Sequence, residues 1–253
     1  MNRIALITGA TSGIGKACAQ KFAQNQYDLI ITGRRLERLQ DLKSKLESEY
    51  KIKVYILEFD IRSRESVSKA IQSLPQAWKN IDVLINNAGL AAGLDPIQSG
   101  NIDDWEQMID TNVKGLLFIS RNVIPLMIER KKGHVINIGS IAGKEVYPKG
   151  NVYCASKHAV DAITKGMRMD LLEHGIKVTQ IAPGLVETEF SIVRLKDEDS
   201  AIQVYKGYEP LKGEDIAEVA FYVTTMPAHV NINDMLIMPT AQASATQIVK
   251  NID

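Results

Sequence analysis

Short apolar runs rich in β-branched residues recur along this chain. They alternate with longer stretches whose apolar positions repeat every three or four residues. The runs predict strands at 4–7, 28–32, 54–58, 83–86, 134–138, 177–182 and 235–238. Their near-continuous hydrophobicity suits strands buried on both faces of a sheet. The amphipathic stretches predict helices at 14–24, 36–50, 67–74, 105–130, 152–174 and 216–225. Strand–helix alternation of this kind argues for the α/β class, with a central parallel sheet of about seven strands flanked by helices. Right-handed crossovers make such a sheet doubly wound.

No linker divides the chain, and residues 1–253 are expected to form a single domain. The least regular long stretch is about 185–210, which carries mixed charge, including Asp197-Glu198-Asp199. A long irregular segment inside a compact domain is often a functional cover, and this one is expected to lie over a substrate.

Charge narrows the partners. Thirty Lys and Arg balance thirty Asp and Glu, so the net charge is zero and no global field favours nucleic acid or an anionic membrane. A small anionic substrate needs only a few local cations. Two isolated cysteines, Cys18 and Cys154, make no disulfide framework. With a first strand that begins at once and no export-type leader, they suggest a reduced, cytoplasmic setting. No apolar run approaches the roughly 20 residues of a spanning helix. His134, His158, His174 and His229 have no ligand spacing with one another, so no metal is expected.

The first strand runs into Thr8-Gly9-Ala10-Thr11-Ser12-Gly13-Ile14-Gly15 and then a helix. A tight glycine turn lets backbone approach a pyrophosphate, and the helix start offers free N–H groups and the positive end of a dipole. The second strand ends in Thr32-Gly33-Arg34-Arg35, where an NAD enzyme usually carries an acidic residue. A carboxylate would repel a 2′-phosphate; guanidinium pairs with one through two parallel hydrogen bonds. Arg34 and Arg35 therefore point to NADP(H).

Tyr153 and Lys157, four positions apart in Tyr153-Cys154-Ala155-Ser156-Lys157, share a helix face. A free phenol ionises near about 10, too high for base catalysis at neutral pH. A neighbouring ammonium is expected to lower that value. Ser140 follows the fifth strand, where strand ends converge on a ligand crevice. There it can hold a substrate oxygen or act as a turn or cap residue. Asn112 lies within a long helical pattern, where an asparagine invites a reason.

Together these motifs resemble the short-chain dehydrogenase/reductase family, and the similarity spans essentially the whole chain. Asn86-Asn87-Ala88-Gly89 and Pro183-Gly184-Leu185-Val186-Glu187-Thr188 match that family in register. The resemblance implies a Rossmann fold and transfer of hydride between NADP(H) and an alcohol or carbonyl. It implies that Asn112, Ser140, Tyr153 and Lys157 form the catalytic tetrad, with Lys157 also holding the nicotinamide ribose. It places Gly9, Thr11, Ser12, Gly13, Ile14 and Gly15 on the pyrophosphate side, and Asp60 and Ile61 at the adenine. Asn87, Ala88 and Gly89 would pass the ribose; Pro183, Gly184 and Val186 would meet the nicotinamide, and Thr188 its amide or the pyrophosphate. It also implies a homotetramer packed through helices at 105–130 and 152–174.

Within the family, Leu90-Ala91-Ala92-Gly93-Leu94-Asp95-Pro96 and Thr188-Glu189-Phe190-Ser191-Ile192-Val193-Arg194 look like the NADP-dependent 3-hydroxy acid (serine/allo-threonine) dehydrogenases. That likeness implies a small 3-hydroxy acid substrate. Phe190, Ile192, Val193 and Leu195 would supply apolar contact, with residues 90–94 opposite. Arg194 is the candidate for a substrate carboxylate, or else a solvated cation of the cover. The alternatives are a broad carbonyl or 3-oxoacyl reductase and a non-catalytic NADP(H)-binding sensor.

Overall fold

A computed structural model describes residues 2–251. Seven strands form one parallel sheet: β1 (Ile4–Ile7), β2 (Asp28–Gly33), β3 (Val54–Glu58), β4 (Ile81–Asn86), β5 (Gly133–Ile138), β6 (Ile176–Pro183) and β9 (Asp234–Ile237). Their order is β3-β2-β1-β4-β5-β6-β9. The chain winds outward first one way and then the other, so the order reverses between β1 and β4. That reversal opens a crevice at the strands' C-terminal ends. Val83, Leu84 and Ile85 pair with β1 on one side and with β5 on the other.

Helices cover both faces. On one face α1 (Gly13–Gln24), α2 (Leu36–Tyr50) and α9 (Gly213–Tyr222) bury Phe22, Leu39, Leu46 and Ile216 against Leu29 and Ile31. Phe22 meets Tyr27 and Phe221 edge-on, at 5.0 and 5.7 Å between centroids, the arrangement favoured by ring quadrupoles. On the other face α3 (Arg64–Gln72) and α5 (Leu116–Arg130) bury Val67, Ile119, Val123 and Met127 against Leu6, Leu84 and Val135. The alternation of inward positions at helical spacing produces this layering.

The helix expected at 105–130 is three pieces. It begins at α4 (Ile102–Ile109), where the Asn101 side chain accepts from Asp103 N at 2.8 Å and caps the first turn. A π-helical segment, Asp110–Gly115, follows, and α5 completes the run with Pro125 inside it. The helix expected at 152–174 is α6 (Asn151–Asp170) plus a short 3-10 turn, Leu172–His174.

The stretch about 185–210 is more regular than its sequence suggested. It holds β7 (Val186–Glu187), α7 (Phe190–Leu195) and α8 (Glu198–Tyr205), and β8 (Leu211–Lys212) pairs with β7. The acidic cluster is a helix start: Asp197 accepts from Ser200 N at 2.8 Å. The Asp197 carboxylate there complements the helix dipole. Two turns are too short to display a full amphipathic period, which hid the helices. No helix among the described residues is long and apolar enough to cross a membrane.

Candidate active site

The crevice opens into a cleft of about 630 Å³ lined from β1, β2, β4, β5 and β6 and roofed by α7 and α8. One end is bare backbone. Gly9 and Gly13 take φ of 66° and 50°, values that disfavour a side chain. A Cβ on Gly9 would come within 3.0 Å of Ala88 Cα, and one on Gly13 within 3.1 Å of Thr188 Cγ2. On Gly15 it would lie 2.3 Å from the Gly9 carbonyl oxygen and 2.4 Å from Asn87 Nδ2. Asn87 Nδ2 donates to Thr8 O at 2.9 Å and Gly9 O at 3.2 Å, which ties the glycine turn to the end of β4. The Thr8 hydroxyl accepts from Asn87 N and Ala88 N, each at 3.0 Å, a brace that sequence reading missed. Thr11, Ser12, Ile14, Ala88, Gly89, Pro183, Gly184, Val186 and Thr188 also line the cleft. A surface that excludes side chains and presents a helix start fits a pyrophosphate-bearing dinucleotide.

The basic end lies beside it. Arg34 and Arg35 line the cleft after β2. Arg35 Nη2 donates to Thr11 Oγ1 at 2.8 Å and Ser12 Oγ at 3.1 Å, so the guanidinium is fixed against the glycine turn. Asp60 and Ile61 also line this end. The Asp60 carboxylate is gripped by Arg62, with Nε at 3.0 Å from both oxygens and Nη2 at 2.6 Å from Oδ2. The hydrogen bond from Arg62 is the main reason the Asp60 carboxyl is held below its usual range. Ser63, not Asp60, caps the following helix, accepting from Ser66 N at 3.2 Å.

At the other end Ser140, Tyr153 and Lys157 line the cleft, and Asn112 is buried outside that lining. Tyr153 and Lys157 are buried on one face of α6, and Ser140 is buried after β5. Ser140 has both roles open to it in the sequence. Its Oγ accepts from Ala142 N at 3.1 Å, capping a short turn, and it lies close enough to the Tyr153 phenol to pull that group's pKa down. Asn112 is buried in the π-helical segment, where its amide exchanges two bonds with Leu90, to N and O, at 2.8 Å each. Its Nδ2 also donates to Ser156 Oγ at 3.0 Å, which links the segment to α6. A Cβ on Gly89 would lie 3.2 Å from Asn112 Oδ1 and 3.6 Å from Lys157 Nζ. Glycine there leaves open the narrow gap between amide and ammonium.

The electrostatics differ from the expectation that Lys157 acidifies Tyr153. Lys157 Nζ donates to Ile138 O at 3.0 Å. Burial raises the phenol's pKa and outweighs the lowering effects of Ser140 and Arg194. Burial also brings the Lys157 ammonium down to about 8. The cation that acts on the phenol in this cleft is Arg194. Desolvation is the physical reason: a dry pocket disfavours phenolate and ammonium alike.

Arg194 comes from α7 and is partly buried. Its guanidinium carbon lies 5.4 Å from the centroids of both Tyr147 and Tyr153. Nη1 donates to the Tyr147 hydroxyl at 2.9 Å, whereas Nη2 is buried without a hydrogen-bond partner among the described residues. Gly93 N donates to Arg194 O at 3.0 Å, so residues 90–94 and the cover meet across the cleft. Phe190 packs on Tyr153 with centroids 5.7 Å apart, and Val193 and Leu195 line the cleft. Ile192 is exposed and outside the lining, because α7 turns that position outward. Tyr147, Tyr205 and Gln242 line the cleft and had no local motif to announce them. Among the described residues no group of three or more His, Cys, Asp and Glu is placed to hold a metal ion.

A model of the short chain dehydrogenase family matches residues 3–199. The chain is 47% identical over 244 residues to NADP-dependent 3-hydroxy acid dehydrogenase YdfG of Escherichia coli strain K12, covering 96% of this chain and 97% of that protein. It is 44% identical over 245 residues to Sulfoacetaldehyde reductase 2 of Chromohalobacter salexigens, with 96% of each covered. A solved closed form of serine dehydrogenase complexed with NADP+ has a TM-score of 0.91 at 45% identity, over 98% of this chain and 100% of that one.

Proposed function

This chain belongs to the short-chain dehydrogenase family, and we propose that it is an NADP(H)-dependent oxidoreductase that interconverts a small 3-hydroxy acid and its carbonyl partner. The observation that carries the substrate reading is the unpartnered Nη2 of Arg194 beside the Tyr153 ring. A buried guanidinium nitrogen without an acceptor is costly, and an acid group on the substrate would satisfy it. Serine, 3-hydroxypropanoate and their semialdehydes have the acid and the reacting carbon close enough to span that short gap.

The lining of the cleft supports the residue roles that the family resemblance implies. The glycine turn and the start of α1 receive the pyrophosphate; Arg34 and Arg35 receive the 2′-phosphate; Asp60 and Ile61 flank the adenine. Asn87, Ala88 and Gly89 border one ribose, and Pro183, Gly184, Val186 and Thr188 border the nicotinamide. When bound, NADP(H) supplies or accepts the hydride at the substrate carbon.

Tyr153 handles the proton. Burial keeps its phenol protonated, which suits donation to the carbonyl oxygen during reduction. Ser140 holds that same oxygen beside the phenol. Lys157, titrating near 8, is largely ammonium at neutral pH. Its Nζ, fixed on Ile138 O, holds the nicotinamide ribose, while Arg194, the cation that lowers the phenol's pKa, offsets the phenolate left by the transfer. Asn112 orients the far side of the gap above Lys157, where the phenol can regain its proton from solvent. Phe190, Val193 and Arg194 cover the substrate and keep bulk water from the reacting centre.

The exposed Ile102 and Leu117 on α4 and α5 and Met169 on α6 suit a homotetramer contact. Its mass in solution tests that part.

A panel of 3-hydroxy acids, both serine enantiomers, semialdehydes, a sulfonated aldehyde and uncharged ketones, followed by NADPH absorbance, tests the reading. Turnover confined to acid-bearing members is expected. Equal efficiency on uncharged ketones would remove the acid-binding role, and a preference for NAD would remove the 2′-phosphate role.

A further inference from the structure

A carboxylate from the substrate cover reaches the basic end of the cleft. Arg38 lies on α2, three positions after Arg35, the residue at that helix's N-cap. Its Nη1 donates to both oxygens of Glu189, at 2.9 and 3.1 Å. Arg35 Nη1 donates to Glu189 Oε2 at 3.3 Å while its Nη2 stays on Thr11 and Ser12. Glu189 is the residue immediately before α7, so this cluster fastens the cover to α2. The carboxylate thus stands in the oxyanion position that two forked guanidinium groups would offer to a phosphate. Burial raises the Glu189 carboxyl, but hydrogen bonds from Arg38 and Arg35 outweigh it and hold it below its usual range.

We propose that Glu189 is an internal competitor for the 2′-phosphate of NADP(H), and that Arg38 joins Arg35 in binding that phosphate once Glu189 is displaced. This inference rests on the reading of Arg35 given above. The three side chains are 42%, 47% and 47% exposed, so water and salt weaken their pairing. A phosphate carries more charge and more acceptor oxygens than a carboxylate, so exchange favours the cofactor. NAD lacks that phosphate and leaves Glu189 in place. Glu189 therefore lowers affinity for NADP(H) selectively, and its release frees the N-terminal end of α7.

Titration calorimetry with 2′,5′-ADP and 5′-AMP isolates this competition from turnover. In Glu189→Gln, 2′,5′-ADP should bind ~2–5-fold more tightly at low salt, the range of one or two exposed ion pairs, and 5′-AMP should be unchanged. The gain should fade at high salt. Arg38→Gln should weaken 2′,5′-ADP and spare 5′-AMP. If the parent protein prefers 2′,5′-ADP but Glu189→Gln gains nothing, or gains equally for both ligands, the competition is overturned and the cofactor reading stands. If the parent does not prefer 2′,5′-ADP, both fall.

Discussion

Arg194 is held by Tyr147: Nη1 donates to the phenolic oxygen at 2.9 Å, and the guanidinium carbon lies 5.4 Å from the Tyr147 ring centroid. Nη1 is thereby anchored, Nε donates to Gly93 O at 3.4 Å, and Nη2 is left for a substrate oxygen. Arg194→Met should raise KM for 3-hydroxy acids about 10–100-fold, the range of a charge-assisted hydrogen bond, and leave uncharged ketones nearly unaffected. Tyr147→Phe removes only the anchor and should have a smaller effect in the same direction. Steady-state kinetics on paired charged and uncharged substrates checks both, and equal effects on the pair would count against an acid clamp.

The buried phenol of Tyr153 is the proposed proton donor, so Tyr153→Phe should lower kcat about 10²–10⁴-fold. The ring still packs on Phe190, and NADPH binding should change little. Single-turnover rates together with NADPH fluorescence titration separate these effects. A variant that turns over at the parent rate would end the proposed mechanism.

His134 couples the pairing of β5 and β6 to pH. The Thr179 hydroxyl donates its one hydrogen to Ile232 O at 2.7 Å. The 2.8 Å contact must then be donated by His134 Nε2, which fixes the neutral tautomer. Burial lowers this histidine from 6.5 to about 4, with Lys177 adding to the effect. Between those values the unfolded chain binds more protons than the native one, so stability falls as pH drops from 6.5 towards 4 and this contribution levels off below. The loss should reach about 3 kcal/mol. Urea unfolding at pH 7 and pH 4.5 should show a much smaller difference in His134→Gln than in the parent.

Gly15→Ala tests the glycine turn. The added methyl would strike the Gly9 carbonyl and the Asn87 amide, both of which brace the turn. Overpacking of this kind costs about 1–3 kcal/mol. A lower Tm is expected together with weaker NADPH binding, because the shifted backbone is the surface that meets the pyrophosphate. A variant that loses stability alone would show that the turn tolerates the shift.

The sheet was legible because its central strands are buried on both faces and read as near-continuous apolar runs, although the edge strands β3 and β9 are partly exposed. Leu29 and Ile31 face one helical layer, Ile30 the other. Tyr153 and Lys157 were legible from their helical spacing, and the glycine turn from the absence of side chains that it requires. Helix ends were less so. Asn101 is a cap visible only once the chain is known to turn there, and the two short helices of the cover span too few turns to show a period. Tyr147, Glu189 and the free nitrogen of Arg194 were illegible for another reason. Tyr147 meets Arg194 from 47 residues away, and Glu189 meets Arg38 from 151. Contacts of that kind belong to the folded chain and to no local pattern. The raised pKa of Tyr153 was missed likewise, because desolvation depends on what covers a group.

The wide turn from Asp110 to Gly115 makes chain length at this point a counted quantity. Removing one of its residues would let the backbone wind regularly, but each residue of α-helix advances the azimuth by about 100°. If α5 kept its seat, with Ile119, Val123 and Met127 inward, the amide of Asn112 would swing away from Leu90. If the amide kept its place, that inward stripe would rotate into solvent. Insertions and deletions that are harmless in a surface helix are therefore closed to this one, and the surplus residue ties the dry interior to the chemistry at the crevice.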